Sequence, residues 1–137
     1  MSETPQSSRG FIIEVCCGSL EAAKIAQIAG ADRIELNSAL ELDGLTPSAG
    51  LLELVMKSIQ IPVIAMTRPR TGNFNYSVLE WQTLIHDAKW LLEQGVAGLA
   101  FGCLDENNDI AVARCSEMRT LASVSYTHLR AHETFAN

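Results

Sequence analysis

The sequence lacks an excess of basic residues. It carries 10 lysines and arginines against 16 aspartates and glutamates, which gives a formal net charge of −6. Domains that bind nucleic acids normally present a basic face to the phosphate backbone. We therefore expect no nucleic-acid partner.

Export and membrane-spanning signals are also missing. The first ten residues, MSETPQSSRG, are acidic, polar and proline-containing where a secretory signal needs a basic start and an apolar run. The apolar stretches are interrupted within a few residues, and none reaches the roughly 20 residues that cross a bilayer. These absences predict a cytoplasmic protein with no membrane partner, and residues 1–10 are expected to form a disordered leader.

Cysteines are few and have no metal-binding spacing. The four are Cys16, Cys17, Cys103 and Cys115, with no CxxC pair. In a reducing cytosol they are expected to be free thiols. Free cysteine usually behaves as a small buried apolar residue, and this is the first interpretation of each one.

What the sequence does contain is a repeat of short apolar, β-branched segments that alternate with segments of helical periodicity. Four such strand–helix units of about 30 residues each are typical of parallel βαβ folds. Ser19 and Ser77 are predicted N-caps of the first and third helices. The predicted strands are 11–17, 33–36, 62–67 and 96–101, and the predicted helices are 19–30, 49–58, 77–93 and 110–122.

Two α/β architectures fit this alternation. A doubly wound nucleotide-binding sheet usually carries a G-x-G-x-x-G loop after its first strand, and the corresponding CCGSLEAA lacks it. A (β/α)8 TIM barrel is favoured, and its length is about 250 residues. Residues 11–123 are therefore predicted to be an N-terminal half barrel of about four βα units. Because half a barrel exposes strand edges, we expect a homo-oligomer or an aggregation-prone fragment.

Polar side chains recur on one face of three predicted strands, since alternate residues of a strand point the same way. The pairs that share a face are Glu14 with Cys16, Glu35 with Asn37, and Met66 with Arg68. A carboxylate inside a buried sheet is costly unless it is paired, and Arg68 and Arg70 follow the third strand. We expect Glu14, Glu35 and Arg68 to converge near the barrel mouth.

Two interpretations of this cluster stay open. It is either a structural ion network that ties the first three strands together or a pocket for a small anionic or carbonyl-bearing ligand. The loop RPRTGNF concentrates hydrogen-bond donors at the functional end of a barrel, and Gly72 would allow a ligand close to the backbone. The predicted pocket residues are Glu14, Glu35, Asn37, Arg68 and Arg70.

A copper(I) site is a separate hypothesis, because copper(I) prefers thiolate and thioether ligands. Cys16 and Cys17 are adjacent on a strand and face opposite ways, so they cannot easily clamp one ion. Cys16 with Met66 from a neighbouring strand is a conceivable pair, although a methionine in a core strand usually only packs.

Several motifs together resemble one known family. In chain order they are EVCC at 14–17, GADRIEL at 30–36, GLTPS at 44–48, IPV at 61–63 and RPRTGNFNYS at 68–77. They look like the CutC copper-homeostasis family. The resemblance implies a TIM barrel, a cytoplasmic location, copper-ion binding and self-association. By position, the residues that match the family's barrel mouth are Glu14, Cys16, Glu35, Arg68 and Arg70.

The resemblance gives a fold without a reaction, so whether the protein is an enzyme stays open. The alternatives are a barrel enzyme or sensor for a small anionic metabolite and an inactive truncated fragment. Asn37 stands where many members carry a cysteine, which removes a candidate soft ligand. Residues 124–137, including His128 and His132, look like translated cloning sequence and are predicted to be a non-native tail.

Overall fold

A computed structural model of the protein describes residues 9–125. Four strands alternate with four helices: β1 (Glu14–Cys17), α1 (Leu20–Ile28), β2 (Arg33–Leu36), α2 (Ala49–Ser58), β3 (Val63–Met66), α3 (Val78–Glu93), β4 (Gly98–Ala100) and α4 (Val112–Ser125). Nearly all of the predicted leader and tail lies outside the described residues, but α4 continues through residues 124 and 125. Within the described range, every helix is too short or too polar to traverse a bilayer.

The strands form one parallel sheet in the order β1-β2-β3-β4. A doubly wound sheet would reverse its strand order at a switch point, and no reversal occurs among these four strands. Right-handed crossovers between consecutive strands place all the helices on one face of the sheet. The order is therefore that of a barrel, and the predicted half barrel of four βα units is confirmed.

Local capping signals fix the ends of the helices. The Ser19 hydroxyl accepts from a backbone N–H in the first turn of α1, as predicted. At α3, Ser77 and Glu80 form a reciprocal capping box, which confirms the predicted cap. Gly30 and Gly95 follow α1 and α3 with φ of 97° and 92°, a backbone conformation that favours glycine after a helix.

The core lies between the sheet and the helices. The strand residues that are fully buried on this outer face of the sheet are Cys17, Ile34, Leu36, Ala65 and Leu99. Their main partners on the helices are Ala23, Leu52, Val55, Leu84, Ala88 and Leu91. Each large apolar side chain buried here contributes about 1.5–3 kcal/mol. A slip of one residue would turn this set to the other face, so the core also determines which residues line the inner face of the sheet.

The first strand is shorter and more exposed than predicted. Phe11, Ile12 and Ile13 precede β1 and are 58%, 61% and 38% exposed. β1 is an edge strand of the described sheet, so these residues lack the cover that a central strand receives. The predicted buried strand at 11–17 is therefore wrong in its first three residues.

Helical periodicity predicts that Leu54 and Leu79 face inward, but both are exposed. Leu54 of α2 and Leu79 of α3 are 52% and 72% exposed. Each lies two residues from a fully or nearly buried neighbour, Leu52 and Trp81 respectively. At about 100° per residue, a side chain two residues away points about 160° from its neighbour. One apolar face of a helix therefore cannot bury both members of such a pair.

Candidate functional site

The inner face of the sheet carries the candidate site. Its residues alternate with the core residues and are Glu14, Cys16, Arg33, Glu35, Ile64, Met66, Gly98 and Ala100. In the parallel register Glu14 lies beside Arg33, and Cys16 lies beside Glu35. The polar groups are therefore gathered on β1 and β2, and the apolar ones on β3 and β4.

Three side chains form what we call the Cys16 cluster: Cys16, Glu35 and Asn37. The Cys16 thiol donates to Oε1 of Glu35 with an Sγ–O distance of 3.5 Å. Nδ2 of Asn37 donates to the same oxygen at 3.2 Å. Asn37 is only 1% exposed, whereas Cys16 is exposed. A buried amide thus holds a carboxylate against an accessible thiol.

The Cys16 cluster keeps its thiol protonated at neutral pH. Partial burial of the sulfur raises the pKa of Cys16 most, and the negative charge and hydrogen bond of Glu35 raise it further, to about 11. The charges of Glu14 and Cys17 add smaller effects in the same direction. Thiolate chemistry at Cys16 therefore requires a partner that displaces the proton.

Glu14 does not reach the barrel mouth, contrary to the predicted convergence with Arg68. It pairs with Arg33, with an Oε1–Nε distance of 2.5 Å. Val63 is the register partner of Ile34, the residue after Arg33, and Arg68 follows Val63 by five residues. At about 3.3 Å per residue, Glu14 and Arg68 are separated by roughly 20 Å along the strands. The alternation of side chains along a strand predicts the shared face of the sheet correctly, but it does not predict the position along the strands.

Arg68 is buried at the carboxyl end of β3 and is 8% exposed. Its Nη1 donates to the carbonyls of Leu42 and Gly44 at 3.4 and 3.3 Å, and Nη2 donates to the Gly72 carbonyl at 2.9 Å. The guanidinium also lies 5.1 Å from the centroid of the Phe74 ring. Arg68 thus ties the loop after β2 to the loop after β3, and within residues 9–125 it forms no ion pair.

Arg70 binds groups of its own loop and of α3 and does not pair with the carboxylates of the strands. Its Nε and Nη2 bind Glu80 in bidentate fashion at 2.7 and 3.0 Å. The other donor contacts go to the backbone carbonyls of Thr71, Asn73 and Asn75 and to Oδ1 of Asn73. The predicted pairing of this guanidinium with a strand glutamate is wrong, because a nearer carboxylate in the first turn of α3 takes it.

The Arg70–Glu80 pair predicts a pH dependence of stability. Hydrogen bonds from Arg70, and then from the Ser77 backbone, lower the pKa of Glu80 from 4.5 to about 2. A carboxyl group with a depressed folded-state pKa stabilises the fold above its unfolded pKa and loses that effect as pH falls. We expect the free energy of unfolding to fall from about pH 4.5 towards pH 2, with a shallower fall in Glu80→Gln.

Urea denaturation at a series of pH values measures this effect. Glu93→Gln, at the opposite end of α3, is the matched control and should keep the wild-type slope. Equal slopes for Glu80→Gln and the wild type would show that the pair does not stabilise the fold.

Met66 does not lie next to Cys16. β2 separates β1 from β3, and the register partner of Met66 is Ala100. With strands about 4.8 Å apart and Met66 two residues further along, the Cα atoms of Cys16 and Met66 are separated by roughly 12 Å. The prediction that Cys16 and Met66 lie on neighbouring strands is wrong. Over residues 9–125, no three His, Cys, Asp or Glu side chains are grouped to hold a metal ion.

The other thiols differ from Cys16 in exposure. Cys17 and Cys103 are 0% and 4% exposed, and Cys115 is partly buried. Burial raises the pKa of all three. The interpretation as buried apolar residues is confirmed for Cys17 and Cys103 and is wrong for Cys16, which is the exposed thiol of the described chain.

The sequence model of the CutC family matches residues 11–137. The chain belongs to the CutC family. A CutC family protein of Treponema denticola is 48% identical over 110 residues, which are 80% of this chain and 45% of the relative. The human copper homeostasis protein cutC homolog is 43% identical over 115 residues, which are 84% of this chain and 42% of the relative.

A solved CutC structure has the same fold. The crystal structure of CutC from Streptococcus agalactiae matches with a TM-score of 0.75 at 29% identity, over 82% of this chain and 55% of that one. The chain spans about half the length of the curated relatives it matches. The CutC half barrel therefore presents one part of the inner face of these proteins.

Three contributors to the CutC site escaped the sequence analysis: Arg33, Thr46 and Glu80. Thr46 Oγ1 accepts from the Arg68 backbone N–H at 2.9 Å and supports the rim. Two of the three had usable signals. Ser77-x-x-Glu80 is a capping-box spacing, and Arg33 alternates with Glu35 on β2. Nothing local marked Thr46, which reaches Arg68 only through tertiary contact.

Proposed function

We propose that this CutC family chain acts in copper homeostasis in the cytoplasm and binds copper(I) through Cys16. The name of its human relative supports the cellular role. The observation that carries the chemistry is the exposed Cys16 thiol on the inner face with the Glu35 carboxylate 3.5 Å away. A thiolate is a preferred ligand of copper(I).

Copper(I) is the cargo of this site and not a resident cofactor. Binding replaces the thiol proton by the metal, and Oε1 of Glu35 is positioned to accept that proton and pass it on to solvent. Asn37 keeps the carboxylate in place through its own hydrogen bond. Because Met66 is two strands away, we propose that a low-molecular-weight cellular thiol supplies the second soft ligand.

Proton displacement makes copper(I) binding pH-dependent. With the pKa of Cys16 at about 11, the site binds one proton more in the free state than in the metal-bound state throughout the neutral range. The apparent affinity should rise about tenfold per pH unit between about pH 6 and 9. Anaerobic competition with a chromophoric copper(I) chelator, corrected for the chelator's own protonation, measures this slope.

The control for the pH experiment is Cys17→Ser, because Cys17 is buried on the opposite face of the sheet. This variant should retain the slope. A pH-independent affinity in the wild type would rule out a protonated Cys16 thiol as the ligand.

We also propose that the chain self-associates through the open edges of its sheet. β1 and β4 each have one neighbouring strand in the described sheet, which leaves one edge of each available for pairing.

A further inference from the structure

Two buried polar atoms at the rim of the sheet have no hydrogen-bond partner within the described chain. They are Nε of Arg68 and the hydroxyl oxygen of Tyr76. Arg68 is 8% exposed and Tyr76 is 5% exposed. Buried polar groups in folded proteins are nearly always paired, so two such atoms in one region call for a physical explanation.

The unpaired donor of Arg68 is Nε–H, which lies on the edge of the guanidinium that Nε shares with Nη2. An arginine side chain has five N–H donors. Carbonyl oxygens accept two hydrogen bonds from Nη1 and one from Nη2, so Nε is the nitrogen without a partner. The edge between Nε and Nη2 can bind two oxygens of a carboxylate or phosphate side by side.

Tyr76 belongs to the same loop after β3, whose Gly72 carbonyl binds Nη2 of Arg68. Burial raises the pKa of Tyr76, and the positive charges of Arg68 and Arg70 oppose that shift. Arg70 lies 4.9 Å from the centroid of the Tyr76 ring and is already paired with Glu80. The region therefore holds one positive charge, that of Arg68, which no carboxylate of residues 9–125 balances.

We propose that this rim, next to the carboxyl end of β3, binds the oxyanion group of a small molecule, a carboxylate or a phosphate. The Nε–Nη2 edge of Arg68 donates to two ligand oxygens, and the Tyr76 hydroxyl donates to one of them. Such a ligand satisfies both unpaired atoms and balances the charge at once. Because both atoms are buried, the side chains that cover this edge shift when the ligand enters. The site uses other side chains than the Cys16 cluster and does not depend on copper.

Tyr76→Phe is the sharpest variant. The hydroxyl has no partner in the ligand-free chain, so its removal should leave thermal stability unchanged without ligand. With ligand, one charge-assisted hydrogen bond is lost, and we expect about tenfold weaker binding. A structural role for the hydroxyl would instead lower the stability without altering ligand affinity.

The binding experiment uses the full 137-residue chain and three probes at equal ionic strength. Acetate tests for a carboxylate site, inorganic phosphate tests for a phosphate site, and chloride controls for nonspecific anion effects. The readout is the arginine Nε–H resonance in two-dimensional ¹H–¹⁵N spectra, which should shift and saturate with acetate or phosphate but not with chloride.

Arg68→Gln and Arg119→Gln complete the test. Both remove one positive charge, but Arg119 is exposed on α4, far along the chain from the rim. Saturable binding should disappear in Arg68→Gln and persist in Arg119→Gln. If Arg68→Gln does not fold, Tyr76→Phe decides alone. The proposal is overturned if neither acetate nor phosphate saturates the wild type, which would leave only buried water at the rim, or if Tyr76→Phe binds with unchanged affinity.

Discussion

Replacement of Cys16 by serine is expected to weaken copper(I) binding on the order of 100-fold or more, because a hydroxyl oxygen is a hard ligand and a thiolate is a soft one. Cys16 is the exposed thiol of the described chain. Its neighbours on the inner face are carboxylate, amide and guanidinium groups, which do not replace a thiolate for this ion. Chelator competition at pH 8 measures the affinities of the variant and the wild type.

Cys17→Ser is the matched control, since the two cysteines are adjacent and face opposite ways. Serine at this fully buried position places a hydroxyl in the core and should lower the free energy of unfolding by about 1–3 kcal/mol. Copper(I) affinity should be unchanged in the folded fraction. If Cys16→Ser kept the wild-type affinity, or if Cys17→Ser lost it, the ligand would lie elsewhere.

Self-association is the second large expected effect. The 137-residue chain should have a measured mass above its 14.9 kDa monomer, and the mass should rise with concentration. Unpaired edges of β1 and β4 provide templates for parallel pairing with a second copy, and the exposed Phe11–Ile13 segment adjoins the β1 edge. Size-exclusion chromatography with light scattering, over a concentration series, measures this mass.

A charge placed at the sheet edge distinguishes pairing of strand edges from nonspecific hydrophobic association. Ile12→Lys adds a lysine beside β1 and should shift the chain towards monomer. Ile28→Lys makes the same substitution on α1, at a side chain that is 83% exposed and outside the sheet, and should not. A concentration-independent 14.9 kDa species in the wild type would contradict edge-driven association.

Much of the fold could be predicted because local signals agree with tertiary packing. Helix α2 begins and ends at the predicted residues, and the serine caps of α1 and α3 are in place. Strand ends were predicted less well. The apolar residues before Glu14 continue the β pattern in sequence, but β1 starts only where β2 pairs with it. Composition cannot reveal where a partner strand begins.

The sequence predicts which face of the sheet carries the candidate site, but it does not predict which residues lie side by side on that face. Alternation placed Glu14, Cys16 and Glu35 on one side of the sheet, and the register does so too. Which residues lie opposite each other depends on strand offset, and this offset pairs Glu14 with Arg33. Arg68 donates to loop carbonyls, and Arg70 pairs with Glu80 in the first turn of α3. The spacing of residues along the strands does not predict these partners.

The most direct measurement is mass-spectrometric mapping of iodoacetamide modification with and without one equivalent of copper(I). At pH 9, where a small fraction of the Cys16 thiol is ionised, prolonged treatment is expected to modify Cys16 slowly in the free chain, and copper(I) is expected to protect it. Cys17 stays unmodified in both conditions because it is fully buried. Modification of Cys17 in the folded free chain, or a Cys16 that copper(I) fails to protect, would contradict the inner-face copper site.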